Sequence, residues 1–288
     1  MDNESCLNKI GIYEKAFPDS FSLSDKITAL LESGFDYLEL SADRTDQKIA
    51  RLTDPLFINQ VRTENTKHQH VIRSLCLSAL STYSLGHPSL EIRQRGESIF
   101  WDAISFAEKT GISLIQIPFC DVPKAIESTE ATQACFFQEI VKLNGLLQTH
   151  STQVRFENME QPQNGSVSSI ISFLNQIPHS HFGIYPDVGN VDAVFNYQLS
   201  SALKDLSLFD SKYGDSVHLK ETRPNKYGGL YYGQGMVHFP ALIQKCRQLG
   251  KHFYTLEYWY LGDCDALEYM KSIRRQMDDI INGDLTRR

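Results

Sequence analysis

No stretch of this 288-residue chain approaches the roughly 18 apolar residues of a membrane-spanning helix, so no membrane partner is expected. The first residues carry Asp2 and Glu4 and no apolar run, and do not read as a signal peptide. The six cysteines, Cys6, Cys76, Cys120, Cys135, Cys246 and Cys264, include no CxxC pair. That pattern argues against a thiolate zinc site or a disulfide framework and fits reduced residues of a cytoplasmic protein. Positive charge is short as well: 28 Lys and Arg face 35 Asp and Glu, a net charge of -7. An acidic surface disfavours nucleic acid as a partner. No glycine-rich phosphate fingerprint follows the first predicted strand, which weakens an open doubly wound sheet. Linkers, repeats and low-complexity tracts are also missing, so the chain reads as one domain over residues 1–288.

What is present is the material for a large core: 41% hydrophobic residues against 22% charged. Short apolar runs alternate with longer amphipathic ones. Residues 9–13 (KIGIY) read as a strand, and SDKITALLESG as a helix with Ser24 as its N-cap and Gly34 as its stop. Residues 36–42 form the second strand, and Pro55 suits the first turn of the next helix. Residues 71–79 are the third strand. Residues 90–110 are helical, with Ile99, Ala103, Phe106 and Ala107 on one face and Gly111 as the end. Residues 113–119 are the fourth strand, followed by a helical stripe of Phe136, Ile140, Leu143 and Leu147. Strands at 153–159, 181–187, 215–221 and 252–259 alternate with helices at 166–174, 200–208, 237–249 and 266–281. Eight strand–helix units in a chain of this length predict an α/β fold, a (β/α)8 TIM barrel.

In such a barrel the active site lies at the C-terminal ends of the strands. Four consecutive predicted strands carry an ionisable group there: Glu157, Asp187, His218 and Glu257. Each alone has a plainer reading. A single His in a strand is usually a hydrogen-bonded core residue, an Asp before Gly-Asn is usually a turn or cap, and a single Glu faces solvent. Together they place three carboxylates at one barrel mouth, where like charge and burial disfavour ionisation. One divalent cation relieves that cost, and one imidazole with three carboxylates suits Mn²⁺, Mg²⁺, Zn²⁺ or Co²⁺. Weaker candidates at strand tips are Glu14, Lys15 and Glu39. Lys220 and Arg223 precede a glycine-rich loop, YGGLYYGQG, which reads equally as a phosphate cradle or a flexible surface loop.

The segments GIYEKAFP, GFDYLELSAD, CLSA, IYPDVGN, HLKETRP and YTLEYW together resemble the L-ribulose-5-phosphate 3-epimerase family, xylose-isomerase-like barrels also called L-xylulose-5-phosphate 3-epimerases. The similarity runs from about Lys9 to the last helix. It implies one divalent metal ion held by Glu157, Asp187, His218 and Glu257. It implies a cytoplasmic enzyme of L-ascorbate or pentose catabolism, acting on a ketose or ketose phosphate and often dimeric. Glu157 and Glu257 would exchange the C3 proton on opposite faces, while Asp187 and His218 mainly hold the metal. Glu14, Lys15, Glu39, Asn190, Lys220, Arg223 and Gln234 are the expected substrate contacts. Two places depart from the family. Leu80, Ser81 and Thr82 stand where relatives carry a histidine and basic residues, and Gln234 stands in YGQG where relatives read F-G-E-G. Three rival readings share the barrel. One is an aldose–ketose isomerase. Another is a non-catalytic sugar-binding barrel, motivated by Leu80 and Gln234. The third is an endonuclease-IV-like nuclease, which would need a histidine where this chain has Asn190.

Overall fold

The computed structural model describes residues 8–161 and 163–283; Asp2, Glu4 and Cys6 lie outside them. Eight short strands alternate with helices. The strands are β1 (Lys9–Tyr13), β2 (Tyr37–Ser41), β3 (Ile72–Cys76), β4 (Leu114–Pro118), β5 (Gln153–Glu157), β6 (Phe182–Ile184), β7 (Ser216–Lys220) and β8 (Phe253–Glu257). Between β1 and β4 come helices α1 (Leu23–Glu32), α2 (Asp46–Ala50), α3 (Pro55–Lys67) and α4 (Leu90–Thr110). Then follow α5 (Glu130–Leu147), α6 (Val167–Leu174), α7 (Val188–Val194) and α8 (Leu199–Leu206). Helix α9 (Phe239–Gln248) precedes β8, and α10 (Ala266–Ile281) follows it.

The strands form one curled sheet in the order β6-β5-β4-β3-β2-β1-β8-β7. Parallel registers such as Ile10 opposite Tyr254 and His218 opposite Thr255 fix neighbouring tips at one level. Beyond β6 the chain stays extended long enough to reach β7: the His218 amide donates to the Pro186 carbonyl at 2.8 Å, and Asp187 bridges His218 in parallel. This is a (β/α)8 barrel, in which strand tips collect the chemistry.

Two compact units are present. In the unit of residues 1–38, 160–168 and 185–288, Thr255 joins the buried hydroxyls of Tyr37 at 2.9 Å and Tyr185 at 2.6 Å. A Cβ at Gly11 would run into the Tyr37 ring, so only glycine lets that ring lie across β1. In the unit of residues 39–159 and 169–184, Phe119, Phe136, Phe156 and Phe173 pack together, four of their pairs edge to face and two tilted, with ring centroids 5.2–6.2 Å apart. That spacing is the favoured range for aromatic pairs. No described helix is long and apolar enough to cross a membrane, and no disulfide joins the described cysteines.

Several element ends differ from expectation. Helix α1 starts earlier, because Ser22 and Asp25 form a reciprocal capping box and Ser24 is already helical. The third strand stops at Cys76, and Ser78–Ser81 curl into a 3-10 turn. The sixth and eighth strands stop at Ile184 and Glu257, short of the predicted Asp187 and Trp259. Helices α2 and α7 were not expected at all. Gly111 does end α4, in the left-handed conformation.

Candidate metal centre

Asp187 shows how the sequence builds this place. It is the N-cap of α7, and its Oδ1 accepts from the amides of Gly189 at 2.8 Å and Asn190 at 3.1 Å. Such a cap stabilises a helix by about 1 kcal/mol. Its Oδ2 faces a cation instead, 2.7 Å from Lys220 Nζ. So the turn-or-cap reading and the ligand reading each claim one oxygen. Gly189 does not serve a turn; a Cβ there would strike the Lys220 carbonyl oxygen, so glycine lets α7 press against the end of β7.

His218 and Lys220 are two residues apart on β7 and project to the same face. The imidazole Nδ1 lies 3.0 Å from Glu257 Oε2, and Lys220 Nζ lies 3.8 Å from the same oxygen. Tyr185 and Tyr13 flank the ring at 4.7 and 6.3 Å between centroids. Asp187 and His218 are fully buried, and Glu157 and Glu257 nearly so. Burial pushes the Asp187 carboxyl above its usual range, with Lys220 pulling the other way. Burial also opposes ionisation of Glu257, yet Lys220 and His218 outweigh it and hold that carboxyl at about 2. Glu157 ends β5, where the Gln116 side-chain amide donates to its Oε2.

Glu157, Asp187, His218 and Glu257 each offer one ligand atom, and those atoms lie within 4.8 Å of one another. Opposite ligands of a small divalent ion stand about 4.2 Å apart, twice a bond of roughly 2.1 Å. Oxygen and nitrogen donors of this kind fit a hard or borderline divalent ion. Charge agrees: three carboxylates meet Lys220 and one imidazole, so a further positive charge reduces their repulsion.

The remaining predicted residues fall in varied surroundings. Glu14 forms a buried ion pair with Lys26 at 2.8 Å. Lys15 Nζ stands over the Trp259 ring, 5.6 Å from its centroid. Glu39 is buried and accepts from the Ser74 hydroxyl at 2.7 Å. Asn190 is buried in the first turn of α7. Arg223 is exposed, its backbone paired with Lys226 in a tight turn. Gln234 accepts from the Tyr231 amide at 3.0 Å, which closes its own loop. Leu80 is buried, while Ser81 and Thr82 are half-buried.

Sequence reasoning missed Gln116, although a lone amide in the apolar strand LIQIP was a signal. It also missed Glu221, whose two oxygens accept from the amides of Gly233 at 2.9 Å and Val237 at 3.3 Å.

A parallel (β/α)8 barrel with a buried cluster of nitrogen and oxygen donors at its strand tips defines the class. Residues 27–278 match the family described as "Xylose isomerase-like TIM barrel", and the chain belongs to that family and, within it, to the L-ribulose-5-phosphate 3-epimerases. It is 30% identical over 240 residues to the probable L-ribulose-5-phosphate 3-epimerase UlaE of Mycoplasma pneumoniae (strain ATCC 29342 / M129 / Subtype 1), covering 83% of this chain and 77% of that protein. Solved structures show the same fold. An L-ribulose 3-epimerase aligns with a TM-score of 0.77 at 13% identity, over 96% of this chain and 95% of that one. The IOLI protein with a binding zinc atom aligns with a TM-score of 0.74 at 13% identity, over 95% and 98%.

Proposed function

We propose that this protein is a divalent-metal-dependent 3-epimerase that interconverts L-ribulose 5-phosphate and L-xylulose 5-phosphate. The observation that carries the reading is the buried Glu157–Asp187–His218–Glu257 cluster in a chain of this family. The similarity to a protein named for that activity supports the choice of substrate.

The four side chains would hold one Mn²⁺, Mg²⁺, Zn²⁺ or Co²⁺ ion. When bound, the ion supplies Lewis-acid stabilisation of charge developing on the ketose oxygens. Glu157 takes the proton from C3, and the electron pair left behind moves into the C2 carbonyl to give an enediolate. Glu257, after taking up a proton from solvent, returns it to C3 from the opposite face while the electron pair moves back from the enediolate, which inverts that centre, and Glu157 gives its proton to solvent. A positioned carboxylate in such a step contributes on the order of 10² to 10⁴ in rate. Gln116 limits the rotamers of Glu157 through its amide hydrogen bond. His218 orients Glu257, and Lys220 with His218 favours its ionised form in the resting site, before it takes up the proton that it returns. The Lys220 ammonium, close to Asp187 and Glu257, adds positive charge where the enediolate forms. Asn190 and Lys15 contact the rest of the sugar.

The test is to incubate the metal-loaded protein with L-ribulose 5-phosphate in D2O and follow C3 by NMR. L-xylulose 5-phosphate carrying deuterium at C3, and its loss in Glu157→Gln, is the expected result. Deuterium at C1 or C2 with an aldose product would replace the reading with an isomerase, and no exchange would overturn it.

A further inference from the structure

Asp187 is carried by a helix too short to hold itself. Helix α7 has seven residues, and a helix of that length is marginal in water. Its far end adds a cost. Asn196 and Tyr197 follow in the left-handed conformation, at φ +52° and +58°, uncommon for residues other than glycine. The helix therefore depends on what is bonded against it. Near its start, Gly189 meets β7 closely, and the Thr222 hydroxyl donates to the Gly189 carbonyl at 3.1 Å. Further along, the hold is Asp192, about one and a half turns after Asp187.

Asp192 is fully buried, and burying a carboxylate is costly unless charge or hydrogen bonds compensate. Both hydrogen bonds of this side chain go to one residue. Its Oδ2 accepts from the His238 amide at 2.9 Å and from His238 Nδ1 at 2.8 Å. A carboxylate only accepts, so Nδ1 carries the hydrogen. Its Oδ1 has no hydrogen-bond partner among the described residues. The carboxylate thus ties α7 to the residue just before α9 and to nothing else. Glu221 treats the same loop differently. It holds the Gly233 and Val237 amides to the end of β7, beside α7 and not through it.

We infer that His238 is a positioning residue for the metal centre. It fixes Asp192, Asp192 fixes α7, and α7 presents Asp187. The inference rests on the metal-centre reading and adds what keeps one of its ligands in place. It gives the loop between β7 and α9 two separate fastenings, of which one bears on the ligand.

The experiment uses the chelator-treated full chain and His238→Ala, whose side chain in the parent is 40% exposed and so tolerates replacement. Two quantities are read: hydrogen exchange of the Gly189 and Asn190 amides, which bond Asp187, and Mn²⁺ affinity by calorimetry. His238→Ala exchanges those amides about tenfold faster and binds Mn²⁺ about tenfold more weakly, the lower range for outer partners of a ligand. His238→Asn, whose side-chain amide can donate where Nδ1 does, restores both. Glu221→Gln, which loosens the same loop without touching α7, changes neither. Unchanged Mn²⁺ affinity in His238→Ala overturns the inference, and so does an equal loss in Glu221→Gln, which would mark general loosening of the loop. If the parent shows no saturable Mn²⁺ site, the metal-centre reading fails and exchange alone decides the fastening. Faster exchange in His238→Ala but not in Glu221→Gln then supports it, and any other pattern overturns it.

Discussion

Asp187 and Glu221 are both carboxylates at the ends of barrel strands, and both accept backbone amides. They differ in what those amides leave. Asp187 gives Oδ1 to the first turn of α7 and turns Oδ2 to a cation. Glu221 gives both oxygens to the loop before α9. The first is a cap that still has an oxygen for a metal. The second is an internal anion that organises a loop. A carboxylate at a strand tip is therefore a ligand candidate only when its amide partners have not consumed it.

The largest effect expected from this contrast is in Asp187→Asn. Asparagine still caps α7, so the melting temperature changes little, but the ligand charge is lost. Metal affinity measured by calorimetry falls by about 100-fold or more, and turnover with it. Gly189→Ala lies between the two carboxylates. Its Cβ meets a backbone carbonyl that cannot yield, and the predicted loss is about 1–3 kcal/mol in urea unfolding. Glu221→Gln should cost about 1–2 kcal/mol, because an amide replaces a charged acceptor of two backbone groups. Its metal affinity stays that of the parent, which is where it parts from Asp187→Asn. Tyr231→Phe removes the hydroxyl that donates to Asp263 at 2.7 Å and accepts from the Leu261 amide at 3.1 Å. About 1 kcal/mol is expected from the same unfolding measurement, the smallest effect of the series.

Much of this contrast was legible in the sequence on one side and hidden on the other. The four strand-tip residues stood out because each ends an apolar run, and a strand's period of two fixes which side faces inward. Helices α4 and α10 were readable to the residue, α4 through its apolar face and Gly111. Helix α7 was not. Its sequence, VGNVDAV, carries Gly189 and Asn190, which read as turn residues, and only the Asp187 cap and the close approach to β7 make it a helix. The glycine-rich loop was harder still. Composition says that YGGLYYGQG can bend, but the partners of its amides depend on Glu221 and Tyr269, and that of the Tyr231 hydroxyl on Asp263, all brought there by the fold. Ser22 against Ser24 shows the same limit at short range: both can cap, and the reciprocal bond to Asp25 selects one.

The central claim is that Glu157, Asp187, His218 and Glu257 hold a single divalent ion. Calorimetric titration of the chelator-treated protein with Mn²⁺ tests it most directly, with Glu157→Gln and Asp187→Asn alongside. The account predicts one saturable site per chain, weakened by about 100-fold or more in each variant. Absence of saturable binding, or binding that both variants retain unchanged, would contradict it.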